Sequence, residues 1–190
     1  YKRFGVSFVK EYFESKYYEG GKELVYEGLK KKVFEKDHTS AIIASLEKYN
    51  LPDKVLLRGD ETAIYITQDM NLAELRYRDF KFNQLVYVVA SEQKLHFQQL
   101  FKVLEMLKKP YAKNLYHLSY GMVHLPSGRM KSREGTVIDA DDLMDEVSGL
   151  AAKEIEKRHK GLSAEKVKER AEMIAIGAIK FFMVKTDPVK

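Results

Sequence analysis

Cysteine is absent from the 190 residues, which excludes disulfides and thiolate metal sites and leaves the redox compartment unread. No apolar run approaches the roughly 20 residues that span a bilayer, and no signal peptide opens the chain, so a cytoplasmic location is the default expectation. The histidines, His38, His96, His117, His124 and His159, lack metal-site spacing such as two histidines four apart beside a glutamate. There is no P-loop, no GxGxxG fingerprint and no GxSxG elbow, so the usual kinase, dehydrogenase and hydrolase readings lose most of their weight. Internal repeats and low-complexity segments are missing too.

What is present is ordinary globular material, 45% hydrophobic and 32% charged, enough for one large domain or two small ones with a real core. A net charge of +5 and a pI near 9.1 fit an anionic partner such as nucleotide or nucleic acid. The chain opens at Tyr1 without an initiator Met and stops just after "TDPVK", so it is expected to be a piece of a longer protein.

Residues 1–19 are aromatic and basic and predict a short strand followed by helix or loop, broken at Gly20-Gly21. Leu24, Val25, Leu29 and Val33 stand at helical spacing and predict an amphipathic helix over 22–36, with Lys30-Lys31-Lys32 near its solvated end. The apolar runs "AIIASL" (41–46), "KVLLR" (54–58) and "AIYITQ" (63–68), separated by turn residues, predict a small meander of strands, with a short helix over 71–80. "NQLVYVVAS" (83–91) reads as a parallel strand buried on both faces. A helix over 92–107 follows, with Leu95, Leu100, Val103, Leu104 and Leu107 on one stripe, then a second strand over 115–125. Strand, helix, strand is a βαβ crossover, so the fold class is α/β with parallel strands, and ligands are expected at the strands' carboxyl ends. Two helices are predicted beyond Gly135, at 139–159 and 163–185, the second opening on a Ser N-cap.

Three clusters carry candidate chemistry. Tyr65 and Asp69 lie four apart, a phenol and a carboxylate suited to a cation, and a guanidinium can take the carboxylate through a two-pronged hydrogen bond. The alternative is that Asp69 caps a helix starting at residue 70. Ser91, Glu92 and Gln93 fall at the strand-to-helix turn, and Gln93 offers both a donor and an acceptor. His96 follows one turn later and reads as a packed, hydrogen-bonded histidine. "SGRMKSREGT" (127–136) alternates Arg129, Lys131 and Arg133 around Ser132 between two glycines, a loop suited to a polyanion or simply to water.

"YITQDMNLAELR", "VYVVASEQKLHFQQLFKVL" and "HLSYGMVHLPSGRMKSREGTVIDADDLMDEV", in this order, resemble arginyl-tRNA synthetases, which are class I enzymes. The resemblance covers most of residues 40–190. It implies the second half of a Rossmann-like nucleotide-binding catalytic domain (40–136), followed by C-terminal helices (137–190) leading toward an anticodon-binding domain absent from this chain. Residues 1–39 would end a preceding insertion. Arg129-Met130-Lys131-Ser132-Arg133 stands where the class carries its KMSKS loop, with Lys131 replacing serine at the third position and Ser132 replacing lysine at the fourth. The resemblance implies that this loop closes over ATP, that Tyr65, Asp69 and Gln93 bind arginine, and that Gly121, Met122 and Val123 hold adenine. It also implies L-arginine, ATP with Mg carried on its phosphates, and tRNA(Arg) as partners, with tRNA needed for the first step. No protein metal site, no membrane and a monomeric parent are expected. No HxGH tetrapeptide occurs, so the class's HIGH motif is missing and the chain alone should be inactive. The competing readings are a non-catalytic nucleic-acid-binding module and another class I synthetase, for lysine or glutamate. The mixed charges disfavour the first, and Asp69 disfavours an acidic substrate.

Overall fold

The computed structural model describes residues 1–17, 19–121 and 139–185, with the backbone of two short strands at 124–125 and 128–129. The chain divides into two compact units, one of Val9–Ser119 and one of Tyr1–Phe8 with Tyr120–Lys190.

The first unit begins with helices α1 (Glu14–Tyr17) and α2 (Gly21–Lys30). Where a strand was expected near the N-terminus, residues 1–13 form none. Helix α2 ends at Lys30 rather than at 36, because Lys32 takes a left-handed conformation (φ 57°) that reverses the chain. The reversal lays Phe34 over Gly28, where a Cβ would stand 2.1 Å from the Phe34 ring. At the other end of α2, a Cβ on Gly21 would stand 2.0 Å from the carbonyl oxygen of Thr67, so α2 and the helix carrying Thr67 meet backbone to backbone.

Strands β1 (Glu35–Lys36), β2 (Ile42–Ala44) and β3 (Lys54–Leu57) make an antiparallel sheet in sequential order, with Ile42 opposite Leu57 and Ala44 opposite Lys54. The third run of the expected meander is not a strand. Only Ala63 bridges to Leu57, and helix α3 (Tyr65–Phe80) starts two residues later. Ile66, Met70 and Ala73 explain the outcome: they recur at helical spacing and all are buried, which the β-branched look of "AIYITQ" conceals. Thr67, fully buried, donates its hydroxyl to the Leu56 carbonyl and accepts from the Ile64 amide at 3.3 Å, pinning the start of α3 to β3.

Strand β4 (Leu85–Ala90), helix α4 (Lys94–Met106) and strand β5 (Leu115–Tyr120) form the crossover, and β4 and β5 pair in parallel. Burial on both faces of β4 is not found. Tyr87 points into the core while Val86 and Val88 stay exposed, because helices cover one face of this two-stranded sheet among the described residues. On α4 the stripe holds at Leu100, Val103 and Leu104 and continues to Leu107, but Leu95 faces solvent. Strand β5 stops at Tyr120, short of 125, and a hairpin of β6 (His124–Leu125) and β7 (Gly128–Arg129) follows, with His124 opposite Arg129. One core joins α2, β2, β3, α3, β4, α4 and β5 around Val25, Leu46, Met70, Leu104 and Tyr111.

The second unit contains helices α5 (Ala140–Arg158) and α6 (Ala164–Val184). Asp139 caps α5 by accepting from the Asp141 amide at 2.8 Å, and Ser163 caps α6 by accepting from the Lys166 amide at 3.4 Å. Ile155, Val167 and Ala171 form their small shared core. Arg3 joins both helices, reaching Asp141 at 3.2 Å, Asp145 at 2.9 Å and Glu172 at 2.9 Å.

Candidate functional site

The described part of the site is built on the first two turns of α3 and the start of α4. Because α3 begins at Tyr65, Asp69 lies in its second turn and is not a cap, and Tyr65 and Asp69 share a face at i and i+4. Tyr65 is 76% exposed. Asp69 is half-buried and turned toward α4, where His96 Nε2 lies 2.7 Å from its Oδ2. A carboxylate oxygen only accepts, so the imidazole N–H donates.

Gln93 ends the tight turn Ser91–Gln93 that leads from β4 into α4, and its side chain is exposed. It stands at the N-cap position of α4, one turn before His96. The hydrogen bond linking the two helices at this point runs through Asp69 and His96.

Beneath this pair lies Tyr87 of β4, packed on Phe97 with ring centres 4.9 Å apart. Arg76 of α3 covers the other part of the Tyr87 ring, its guanidinium carbon 5.6 Å from the centre. Burial pushes the Tyr87 phenol up to about 12, and the Asp69 charge adds to the rise while Arg76 opposes it. The Tyr87 hydroxyl is buried without a hydrogen-bond partner among the described residues. Phe97 also meets His117 of β5, ring centres 4.5 Å apart, and His117 donates from Nε2 to the Val89 carbonyl at 2.8 Å, tying β5 to β4. Aromatic packing therefore fixes the floor from which α4 projects His96.

The rest of the predicted site is only partly in view. Gly121 follows β5 directly and is exposed. Met122, Val123, Lys131, Ser132 and Arg133 lie outside the described residues, and of Arg129 only the backbone pairing in β7 is described. Among the described residues no group of three or more His, Cys, Asp or Glu side chains converges as a metal site, and no helix is long and apolar enough to cross a membrane. His96 is packed and hydrogen-bonded, as its sequence setting implied, and the structure adds that its partner is Asp69. Its one signal was a polar ring inside the apolar stripe of Phe97, Leu100 and Leu104.

A parallel βαβ crossover with polar side chains at the turn after its first strand is the ligand-binding arrangement of α/β proteins. The family model of class I tRNA synthetases (R), catalytic domain, matches residues 1–189. Curated relatives include arginine–tRNA ligases of Amoebophilus asiaticus, 48% identical over 192 residues, and of Treponema denticola, 47% identical over 190 residues. Each alignment covers 100% of this chain and 32% of the relative, so the chain spans about a third of their length. Among solved structures, arginyl-tRNA synthetase of Plasmodium falciparum superposes with a TM-score of 0.78 at 18% identity, covering 98% of this chain and 31% of that one. The Thermus thermophilus arginyl-tRNA synthetase gives 0.68 at 21% identity, covering 90% of this chain and 35% of that one. The chain belongs to the class I arginyl-tRNA synthetase catalytic-domain family.

Proposed function

We propose that this chain supplies the arginine-reading half of the catalytic domain of an arginine–tRNA ligase. The observation that carries the reading is Asp69: a partly exposed carboxylate, held by His96 of α4 and one turn from Tyr65, in a chain 48% identical to an arginine–tRNA ligase. A carboxylate so placed takes a guanidinium through a two-pronged, charge-assisted hydrogen bond, with the phenol and the amide completing the donor and acceptor set.

In the first step the arginine carboxylate attacks the α-phosphorus of ATP in line. The bond to pyrophosphate breaks and arginyl-adenylate forms. In the second step a hydroxyl of the terminal adenosine of tRNA(Arg) attacks the activated carbonyl and releases AMP, with tRNA already required for the first step. Gly121, Met122 and Val123 are proposed to hold adenine. Arg129, Lys131, Ser132 and Arg133 are proposed to meet the triphosphate, where fixed cations lower the barrier without covalent chemistry. Mg enters on the ATP phosphates. Residues 40–136 would carry this chemistry and residues 137–190 the connection toward an anticodon-binding domain, in a monomeric cytoplasmic parent. Because no HxGH tetrapeptide is present, the half-site is proposed to be inactive alone.

The test is steady-state kinetics on a full-length enzyme carrying this chain. Asp69→Asn should raise KM for arginine about a hundredfold with KM for ATP nearly unchanged, since it removes the charge partner of the guanidinium. Equal changes in both would refute the assignment of Asp69. Lys131→Ala should do the converse, lowering kcat about a hundredfold while arginine affinity holds. An unchanged kcat would remove the loop from the reaction.

A further inference from the structure

We propose that His96 is a positioning residue for arginine recognition: its imidazole holds the Asp69 carboxylate in the one orientation that accepts a guanidinium. The inference rests on the reading of Asp69 as the guanidinium's partner. It starts from the contact between Nε2 of His96 and Oδ2 of Asp69, 2.7 Å long and bridging two helices 27 residues apart.

The two side chains are unequally exposed. That of His96 keeps 18% of its surface and that of Asp69 keeps 30%, so the carboxylate stays partly exposed with the imidazole against it. The ring has little freedom. It stands edge-on to Phe97 at 5.4 Å, and Phe97 is itself packed against Tyr87 and His117. Below it α4 is anchored by Leu100, Val103 and Leu104, all fully buried.

An aspartate on a half-exposed helix face otherwise samples several rotamers, and each wrong one must be abandoned before a planar guanidinium can dock. One hydrogen bond at Oδ2 uses a single lone pair of about four on a carboxylate, so both oxygens keep acceptor capacity for arginine. Chemistry also favours histidine for the task. A lysine or arginine at this place would bring a permanent positive charge that competes with the substrate for Asp69, whereas an imidazole N–H orients the carboxylate without one. A short-range donor on a rigid aromatic floor thus sharpens selection for arginine over the isosteric, uncharged citrulline.

The experiment uses a full-length enzyme carrying this chain, with arginine and ATP kinetics measured for H96Q, H96N, H96L and D69N. Glutamine places an amide N–H near the position of Nε2, while asparagine is too short to reach Asp69. The expected result is KM for arginine within about threefold of the parent for H96Q and raised about tenfold or more for H96N and H96L, with kcat and KM for ATP within about threefold throughout. In the D69N background, H96N should add nothing further, because the group it positions is gone. The inference is overturned if H96Q is as impaired as H96N, if KM for ATP rises in step with that for arginine, or if H96N and D69N multiply independently. Should H96L not fold, the H96Q and H96N pair decides alone. If instead D69N leaves KM for arginine untouched, it is the reading of Asp69 that fails, and the two failures are told apart.

Discussion

The two units bury their apolar residues in different ways. In residues 9–119, side chains from helices and both sheets converge on one core, with Leu46, Leu56, Leu100, Leu104 and Tyr111 almost wholly hidden. In α5 and α6 the shared core is Ile155, Val167 and Ala171, while Met173, Ile174, Phe181 and Phe182 remain exposed. Two helices have one seam, and small residues such as Ala171 and Ala175 let their backbones approach at the cost of burying little area. The half-buried Asp69, proposed to read a guanidinium, stands over closely packed aromatic rings, whereas the helical pair is held at its seam and by the ion cluster of Arg3.

Substitutions at matched positions test this contrast most directly. Leu104→Ala should cost about 3–4 kcal/mol, because a fully buried position in a dense core cannot collapse around the lost methyls. Amide hydrogen exchange should show the loss across α2, α3 and α4, and protection retained there would mean the core is looser than its burial suggests. Ile155→Ala should cost less, about 2 kcal/mol, since a seam with few neighbours relaxes more easily. Its effect should stay within α5 and α6, and spreading into residues 9–119 would erase the distinction between the units.

The smallest effect is electrostatic. Lys10, and the Tyr12 hydroxyl donating at 2.7 Å, hold the Asp79 carboxyl down to about 2 from its ordinary 3.8. A carboxylate whose folded pKa is depressed stabilises above the unfolded value, and that contribution is lost as pH falls from about 4 through about 2. An acid titration followed by NMR should therefore release residues 10–12 from the end of α3 in that window, and Asp79→Asn should abolish the pH dependence. Release near neutrality would locate the tether elsewhere.

Legibility followed the range of the interactions. Helix α5 could be read from the acidic and basic residues at its two ends and α6 from its Ser163 cap, because caps and dipoles act within one turn. The crossover of β4, α4 and β5 was visible in the succession of apolar runs. The short strand expected from "AIYITQ" failed because β-branched residues favour strands locally, while Ile66, Met70 and Ala73 gained more by facing one core as a helix. The expected two-sided burial of β4 failed for a related reason: the run of valines states a preference for burial, but not whether anything covers the second face.

The sequence by itself determined the α/β class, the starts of α5 and α6, and the residue types Tyr65, Asp69 and Gln93 with their spacing, since each depends on local geometry or on the order of the runs. Only the tertiary structure decided that Asp69 lies inside a helix, that His96 is its partner, and that Arg3 binds Asp141 and Glu172 far along the chain. Those contacts join residues 27, 138 and 169 positions apart, and no local propensity encodes a meeting that depends on how the intervening elements pack.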